Sequence, residues 1–253
     1  MEFEALIFDV DGTLADTERD GHRVAFNRAF RDAGLDWDWG VDLYGKLLAV
    51  TGGKERMRYY VDHFRPDYER PADFDELVRS LHEAKTGHYT ALMEQGDIPL
   101  RPGVRRLLEE ARRQGTRLAI ATTTTPANVT ALLGATLGPD GEEWFEVIGA
   151  GDVVPEKKPA PDIYDYVLEK MGLSADACIA FEDSENGIRS STAAGLPTVV
   201  TVNEYTREHE FAGALLVLDK LGEPDAPFHV LSGASVNGSR YLDLDLLRRL
   251  HGG

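Results

Sequence analysis

Glu4-Ala5-Leu6-Ile7-Phe8-Asp9-Val10-Asp11-Gly12-Thr13-Leu14 is the stretch on which the fold turns. Its apolar residues run continuously instead of alternating, which is the pattern of a strand buried on both faces, as in a parallel sheet. The run stops at a carboxylate. An aspartate at a strand end can attack phosphorus and form an aspartyl-phosphate, and Asp11, two residues on, projects to the same side of the turn. If protonated, Asp11 can pass a proton to a leaving oxygen and later take one from water. Gly12 permits the turn that brings both carboxyls to one point. A strand-terminal acidic turn without chemistry is the plain alternative.

Working outward, four more continuous apolar runs repeat the pattern: Leu118 to Ala121, Phe145 to Ala150, Cys178 to Phe181 and Thr198 to Val202. Helical stretches separate them, RPGVRRLLEEARRQG, APDIYDYVLEKMG and SENGIRSSTAAG, the first opened by Pro102 and closed by Gly115. Strand and helix alternate over residues 1–15 and 97–222, which predicts an α/β fold with a doubly wound parallel sheet. Residues 17–95 break the alternation. HRVAFNRAFRDAG, KERMRYYVDHF and DFDELVRSLHEAKTGHYTALMEQG read as helices only, so 17–96 is expected to form a small α-helical cap on a core made of 1–16 and 97–253. LDLDLLRRLHGG reads as a closing helix, and VLSGASVNGSRY as a turn or short hairpin.

The 253 residues, 42% of them hydrophobic, suffice for such a core and a smaller second unit. Net charge is −17, which disfavours nucleic acid and anionic membranes as partners. No run of about 18 apolar residues and no basic signal-like segment occurs, so a cytoplasmic, monomeric protein is expected. Cys178 is the only cysteine, which excludes an internal disulfide and a thiolate metal cluster; it reads as a buried strand residue.

Three further groups fall at predicted strand ends. Thr122, with Thr123 and Thr124 behind it, can offer a hydroxyl and backbone N–H groups to phosphate oxygens; a helix cap is the alternative. Lys158 offers a point charge to hold phosphate beside the nucleophile; otherwise it is a surface lysine. Glu182 and Asp183 form a pair of hard oxygen donors of the kind magnesium prefers, or else an acidic helix cap. In a doubly wound sheet all of these converge on one crevice. In the helical region, Gly52-Gly53-Lys54-Glu55-Arg56 puts two cations at a helix start, and His82 and Lys85, three apart, share a face. Each alone reads as a solvated charge. Together, in so acidic a chain, they are the best candidate for gripping a second phosphate.

FDVDGTL, Thr122, Lys158 in KKPAPD and FEDSENGI resemble the four motifs of the haloacid dehalogenase superfamily, in that order, over about residues 3–220. TGGKER, HEAKT and ATTTTPANV further resemble the CbbY proteins of Calvin-cycle operons. The resemblance implies a phosphatase for a small phosphorylated sugar, xylulose 1,5-bisphosphate, which becomes xylulose 5-phosphate. It implies Mg2+ on the carboxylates of Asp9 and Asp183 and the carbonyl of Asp11, with Glu182 as support or an extra ligand. It also implies Glu18, Thr125 and Asn128 as contacts to sugar hydroxyls. One departure is visible: Glu18-Arg19-Asp20-Gly21-His22 is a residue longer than the family pattern, which leaves the role of His22 open. A β-phosphoglucomutase-like mutase, a phosphoglycolate-type phosphatase and a receiver-like phospho-aspartate module are the competing readings. The first tends to carry an apolar residue where Thr13 stands, and the last needs neither Asp11 nor a cap.

Overall fold

A computed structural model describes residues 3–96 and 98–252. One seven-stranded sheet contains β1 (Ala5–Phe8), β2 (Arg117–Ala121), β3 (Val147–Gly149), β4 (Cys178–Glu182), β5 (Thr198–Thr201), β6 (Leu216–Leu218) and β7 (Val230–Gly233). Their order is β3-β2-β1-β4-β5-β6-β7, parallel throughout except for β7. The chain therefore winds outward from β1 in both directions, and the crevice beside β1 is where such sheets bind ligands. Register brings the motif residues level: Phe8 pairs with Ile120 on one side and Phe181 on the other. Asp9, Thr122 and Glu182–Asp183 thus leave the sheet along one edge.

Alternate strand residues divide the core. Leu6, Phe8, Leu118, Ile120 and Phe181 face α5 (Val104–Gln114), α6 (Pro126–Leu137) and α9 (Leu244–His251). The smaller Ala5, Ala119, Ala121, Cys178 and Ala180 face α7 (Asp162–Met171), which lets that helix approach closely. α8 (Glu185–Ala193) covers Val200 and Val217 on the same side. Cys178 is fully buried, and burial pushes its thiol up to about 11, as befits an inert core residue.

Between β1 and α5 stand α1 (Arg23–Asp32), α2 (Val41–Leu47), α3 (Gly53–Phe64) and α4 (Phe74–Glu94). They enclose an aromatic cluster of their own, with Phe26, Phe30, Trp37, Trp39, Tyr44 and Tyr60 in mutual contact. The 21-residue α4 joins this cluster through Val78 and Leu81 to the main core through Tyr89 and Met93. The chain leaves and re-enters the sheet region by adjacent segments, Ala15 bridging Leu100 and Arg101 donating its N–H to the Leu14 carbonyl at 2.8 Å. Glu18–His22 forms a turn of π-helix that runs directly into α1, a feature often found at functional sites.

VLSGASVNGSRY, read as a turn or short hairpin, supplies β7, which pairs antiparallel with β6; the sequence reading missed α2, α6 and β6. It also drew β3 too long, since Phe145 and Glu146 precede the strand and follow a 3-10 turn at Gly141–Trp144. The expected closing helix is α9, N-capped by Asp243, whose carboxylate accepts the Leu246 N–H at 2.7 Å. No helix among the described residues is long and apolar enough to cross a membrane.

Candidate active site

Lys158 sits at the centre of the sheet-side half. Its ammonium spends its three hydrogens on Asp9 Oδ1 at 2.7 Å, Glu182 Oε1 at 2.6 Å and the Ala121 carbonyl at 2.9 Å. Tyr164 on α7 donates its hydroxyl to the same Glu182 oxygen at 2.5 Å. Glu182 is therefore engaged from two sides, and its second oxygen faces Gly187, where a Cβ would strike it. Lys158, Asp9, Glu182 and Asp183 are all buried. Burial opposes the charge on Lys158, yet Asp9 and Glu182 outweigh it and hold the ammonium charged. Asp9 is raised to about 8, first by burial, against the pull of Lys158 and with repulsion from Glu182 and Asp11. Asp183 is raised by burial and then by Asp9 and Glu182.

Whether these residues suit a cation can be judged from their donors. Asp9, Glu182 and Asp183 bring one carboxylate oxygen each within 4.8 Å of one another, a hard all-oxygen set in a pocket with one ammonium among several carboxylates. Such a set fits a small divalent cation, which would offset the burial and the mutual repulsion that disfavour ionisation of Asp9 and Asp183. Gly12 belongs to this half because of its backbone: φ is +86°, and a Cβ there would collide with Asp183 and Asn203.

Asp11 lies where the two halves meet. Its Oδ1 accepts the Thr17 hydroxyl at 2.5 Å and contacts His22 Nε2 at 2.7 Å, while His22 Nδ1 lies 2.6 Å from Lys85 Nζ. A charged Lys85 can only donate, so Nδ1 accepts and Nε2 carries the hydrogen that points to Asp11. His22, whose role the sequence left open, is the link between Lys85 and Asp11. Burial pushes the Asp11 carboxyl up, but His22 and Thr17 prevail and lower it to about 2. The sequence reading gave Asp11 an acid's role on condition that it is protonated; here His22 and Thr17 favour its carboxylate form, with an imidazole N–H beside it.

The helical half is cationic. Arg56 is buried, donates to the Tyr44 hydroxyl at 2.9 Å and lies 3.9 Å from Glu18; Tyr44 in turn donates to Glu18 at 2.5 Å. Arg56, Lys85, His82, Gly52, Gly53, Thr124 and Asn128 line one cavity that shares Asp11, Glu18, Arg56 and Thr123 with the cavity over Asp9. Gly53 is needed for close approach, since a Cβ would sit 2.8 Å from the His82 ring. His82 is lowered to about 4 by burial and then by Lys85, Lys54 and Lys157, so at neutral pH it is an uncharged hydrogen-bonding group and not one of the cations expected. Among the described residues Asn128 Oδ1 and the Thr125 hydroxyl are buried without a hydrogen-bond partner, whereas Asn128 Nδ2 donates to Thr124 at 2.9 Å.

Lys54 and Glu55 depart from expectation. Lys54 pairs with Asp152 at 2.6 Å and Glu55 with Lys157 at 3.3 Å, outside the cavity. Thr122 fits its expected place: it is buried beside Asp9, and its hydroxyl accepts the Thr124 N–H at 3.3 Å. Sequence reasoning missed Thr17, Tyr44, Tyr164 and Asn203. None lies in a motif; Tyr164 reads as an apolar position of its helix, and Tyr44 stands on α2, which the sequence reading did not identify.

Comparison with known proteins settles the family. The model of the haloacid dehalogenase-like hydrolases matches residues 3–195. The plasmid CbbY protein of Cupriavidus necator is 50% identical over 252 residues, 99% of this chain and 97% of its own. The chain belongs to the haloacid dehalogenase-like hydrolases, in the CbbY group. Within that family it is a phosphatase. A crystal structure of CbbY from Rhodobacter sphaeroides in complex with phosphate is similar at a TM-score of 0.80 and 47% identity, covering 86% of this chain and 94% of that one. A variant of the same protein with an aspartate changed to asparagine, in complex with xylulose 1,5-bisphosphate, matches at 0.80 and 46% with the same coverage. The family's layout accounts for the motif order along the sheet edge, and the CbbY likeness extends over the helical insert.

Proposed function

We propose that this chain is a magnesium-dependent phosphatase that removes one phosphate from xylulose 1,5-bisphosphate, leaving xylulose 5-phosphate, by way of an aspartyl-phosphate on Asp9. The observation that carries the reading is the pairing of two adjoining cavities, one with the carboxylates around Asp9 and one with the cations Arg56 and Lys85, with Asp11, Glu18 and Arg56 lining both. A sugar with phosphate at both ends suits that pairing, and the relative crystallised with such a sugar supports it.

Asp9 and Asp183, with the Asp11 carbonyl, would hold the magnesium ion, and Glu182, already engaged by Lys158 and Tyr164, supports them from behind. The ion supplies positive charge that lets an anionic nucleophile meet an anionic phosphate. Lys158, the Thr122 hydroxyl and nearby backbone N–H groups stabilise the equatorial oxygens as Asp9 attacks phosphorus and the sugar oxygen departs. That oxygen takes its proton through Asp11, which draws on His22 Nε2 at 2.7 Å while Lys85 passes a proton to His22 Nδ1 at 2.6 Å, so the imidazole stays neutral. Water then attacks the aspartyl-phosphate, Asp11 receives its proton, and Asp9 and inorganic phosphate are released. Residues 17–96 act as a cap, Arg56, Lys85 and the α3 N-terminus gripping the distal phosphate while Glu18, Thr125 and Asn128 meet sugar hydroxyls. Purified protein given a panel of sugar mono- and bisphosphates should release phosphate fastest from xylulose 1,5-bisphosphate. Isomerised sugar phosphate without free phosphate would mark a mutase instead.

A further inference from the structure

Asn203 follows β5, outside every motif, yet its side chain reaches the acidic pocket. Nδ2 donates to Asp183 Oδ2 at 2.6 Å, while Oδ1 accepts the Tyr205 N–H at 2.9 Å. Because Oδ1 is committed to an N–H donor, the amide cannot be turned round: its NH2 must face the carboxylate. The Asn203 N–H in turn donates to the Thr206 hydroxyl at 3.0 Å, which closes a tight turn behind the side chain. That turn is moored to the helical insert. Glu204 pairs with Arg19 at 2.6 Å, and the Tyr205 ring lies 6.1 Å from that of Tyr44. On its other flank Asp183 meets the Gly12 backbone, where no Cβ could be placed.

We propose that Asn203 is a positioning residue for Asp183: its amide holds one carboxylate oxygen so that Asp183 presents itself to the cation in a single orientation. The inference rests on the reading of Asp183 as a magnesium ligand. Partners that orient ligands in this way typically set metal affinity by about 10- to 100-fold. Asn203 spends its hydrogen bonds on Asp183, Tyr205 and Thr206 and none on the nucleophile Asp9, so its effect should appear in cation affinity more than in turnover at saturating cation.

The test is calorimetric titration of the substrate-free protein with Mg2+, in the wild type and in Asn203→Ala, Asn203→Ser and Asp183→Asn, with the melting temperature and kcat at saturating Mg2+ measured for each. Serine keeps an acceptor for the Tyr205 N–H, and so the turn, but is too short to reach Asp183. The expected result is that both Asn203 variants bind Mg2+ about tenfold or more weakly, with kcat at saturating Mg2+ within about twofold of wild type. If Asp183→Asn loses Mg2+ while both Asn203 variants bind it as tightly as wild type, Asn203 is not a positioning residue and the metal reading stands. Wild-type affinity in Asn203→Ser alone also overturns the proposal, since the turn would then be what matters. Wild-type affinity in Asp183→Asn overturns the metal reading itself, and the Asn203 proposal with it.

Discussion

On the sheet side of the crevice Asp9, Asp11, Glu182 and Asp183 gather around one ammonium, that of Lys158, whereas on the helical side Arg56 and Lys85 gather near Glu18, with Asp11 shared between the two. The sheet side is built on strand ends whose spacing is fixed by backbone pairing, so each group stands where the register puts it. The helical side is built on three helical segments, where a residue's neighbour in sequence points elsewhere. On the proposed function, the difference gives chemistry to the sheet half and recognition to the half that packs against it, with the Lys85–His22–Asp11 chain joining the two at the centre of the site.

Breaking the sheet side should have the largest effects. Asp9→Asn is expected to abolish turnover, a loss of at least about 10^4-fold, with no phosphoenzyme trapped from radiolabelled substrate. Asp11→Asn is expected to cost about 10^2- to 10^4-fold but to leave slow phosphorylation by an activated aryl phosphate, so labelled enzyme accumulates in a quench experiment. Labelling of Asp9→Asn at the wild-type rate would remove the distinction between the halves.

The link comes next. Lys85→Ala should lower kcat/KM for both a sugar bisphosphate and an aryl phosphate by roughly tenfold, because the lysine serves the distal cavity and also, through His22, Asp11. Its pH dependence sharpens the point. Lys85 is pushed down to about 8, first by burial, with Asp11 and Glu18 partly restoring it. A cation is lost as pH rises through its pKa, so activity on the bisphosphate should fall on the alkaline side with a midpoint near 8. Lys85→Met should lower the plateau and remove that limb. An unchanged limb in the variant would assign it elsewhere.

Lys54→Ala should have the smallest effect. Its partner Asp152 is 60% exposed, and such surface pairs contribute about 0–1 kcal/mol, so kcat/KM should change by less than about fivefold. A larger loss, confined to the bisphosphate, would return Lys54 to the binding site.

These contrasts also explain what the chain let one read in advance. Asp9, Thr122 and Asp183 were legible because each follows directly on a buried strand, and a parallel sheet sends all such ends to one edge, while Lys158 comes from the loop that follows β3. Lys54 and Arg56 were read together, yet two residues along a helix is about 200° of rotation, so only one can face the cavity. His82 and Lys85, three apart, both do. Tyr164 looked like an apolar position of α7, and its hydroxyl acquired a role only when the helix brought it to Glu182. Asn203 is a single amide in a loop, with no period or partner in sequence to mark it. The charge of His82 was misread for the same kind of reason: burial next to three lysines is a property of the fold.

The division between the halves is tested most directly by Arg56→Ala. Arg56 is buried at the rim of both cavities and makes no hydrogen bond to Asp9, Asp11, Lys158 or Asp183. The measurement is kcat/KM of wild type and variant for xylulose 1,5-bisphosphate and for an aryl phosphate that lacks a distal group. The account predicts a loss of about ten- to a hundredfold on the bisphosphate, the scale of a charge-assisted hydrogen bond of about 1.5–3 kcal/mol, and a change under about threefold on the aryl phosphate. Equal losses on the two substrates would contradict it, showing that Arg56 supports the fold or the chemistry in common and that the helical half does not read the second phosphate.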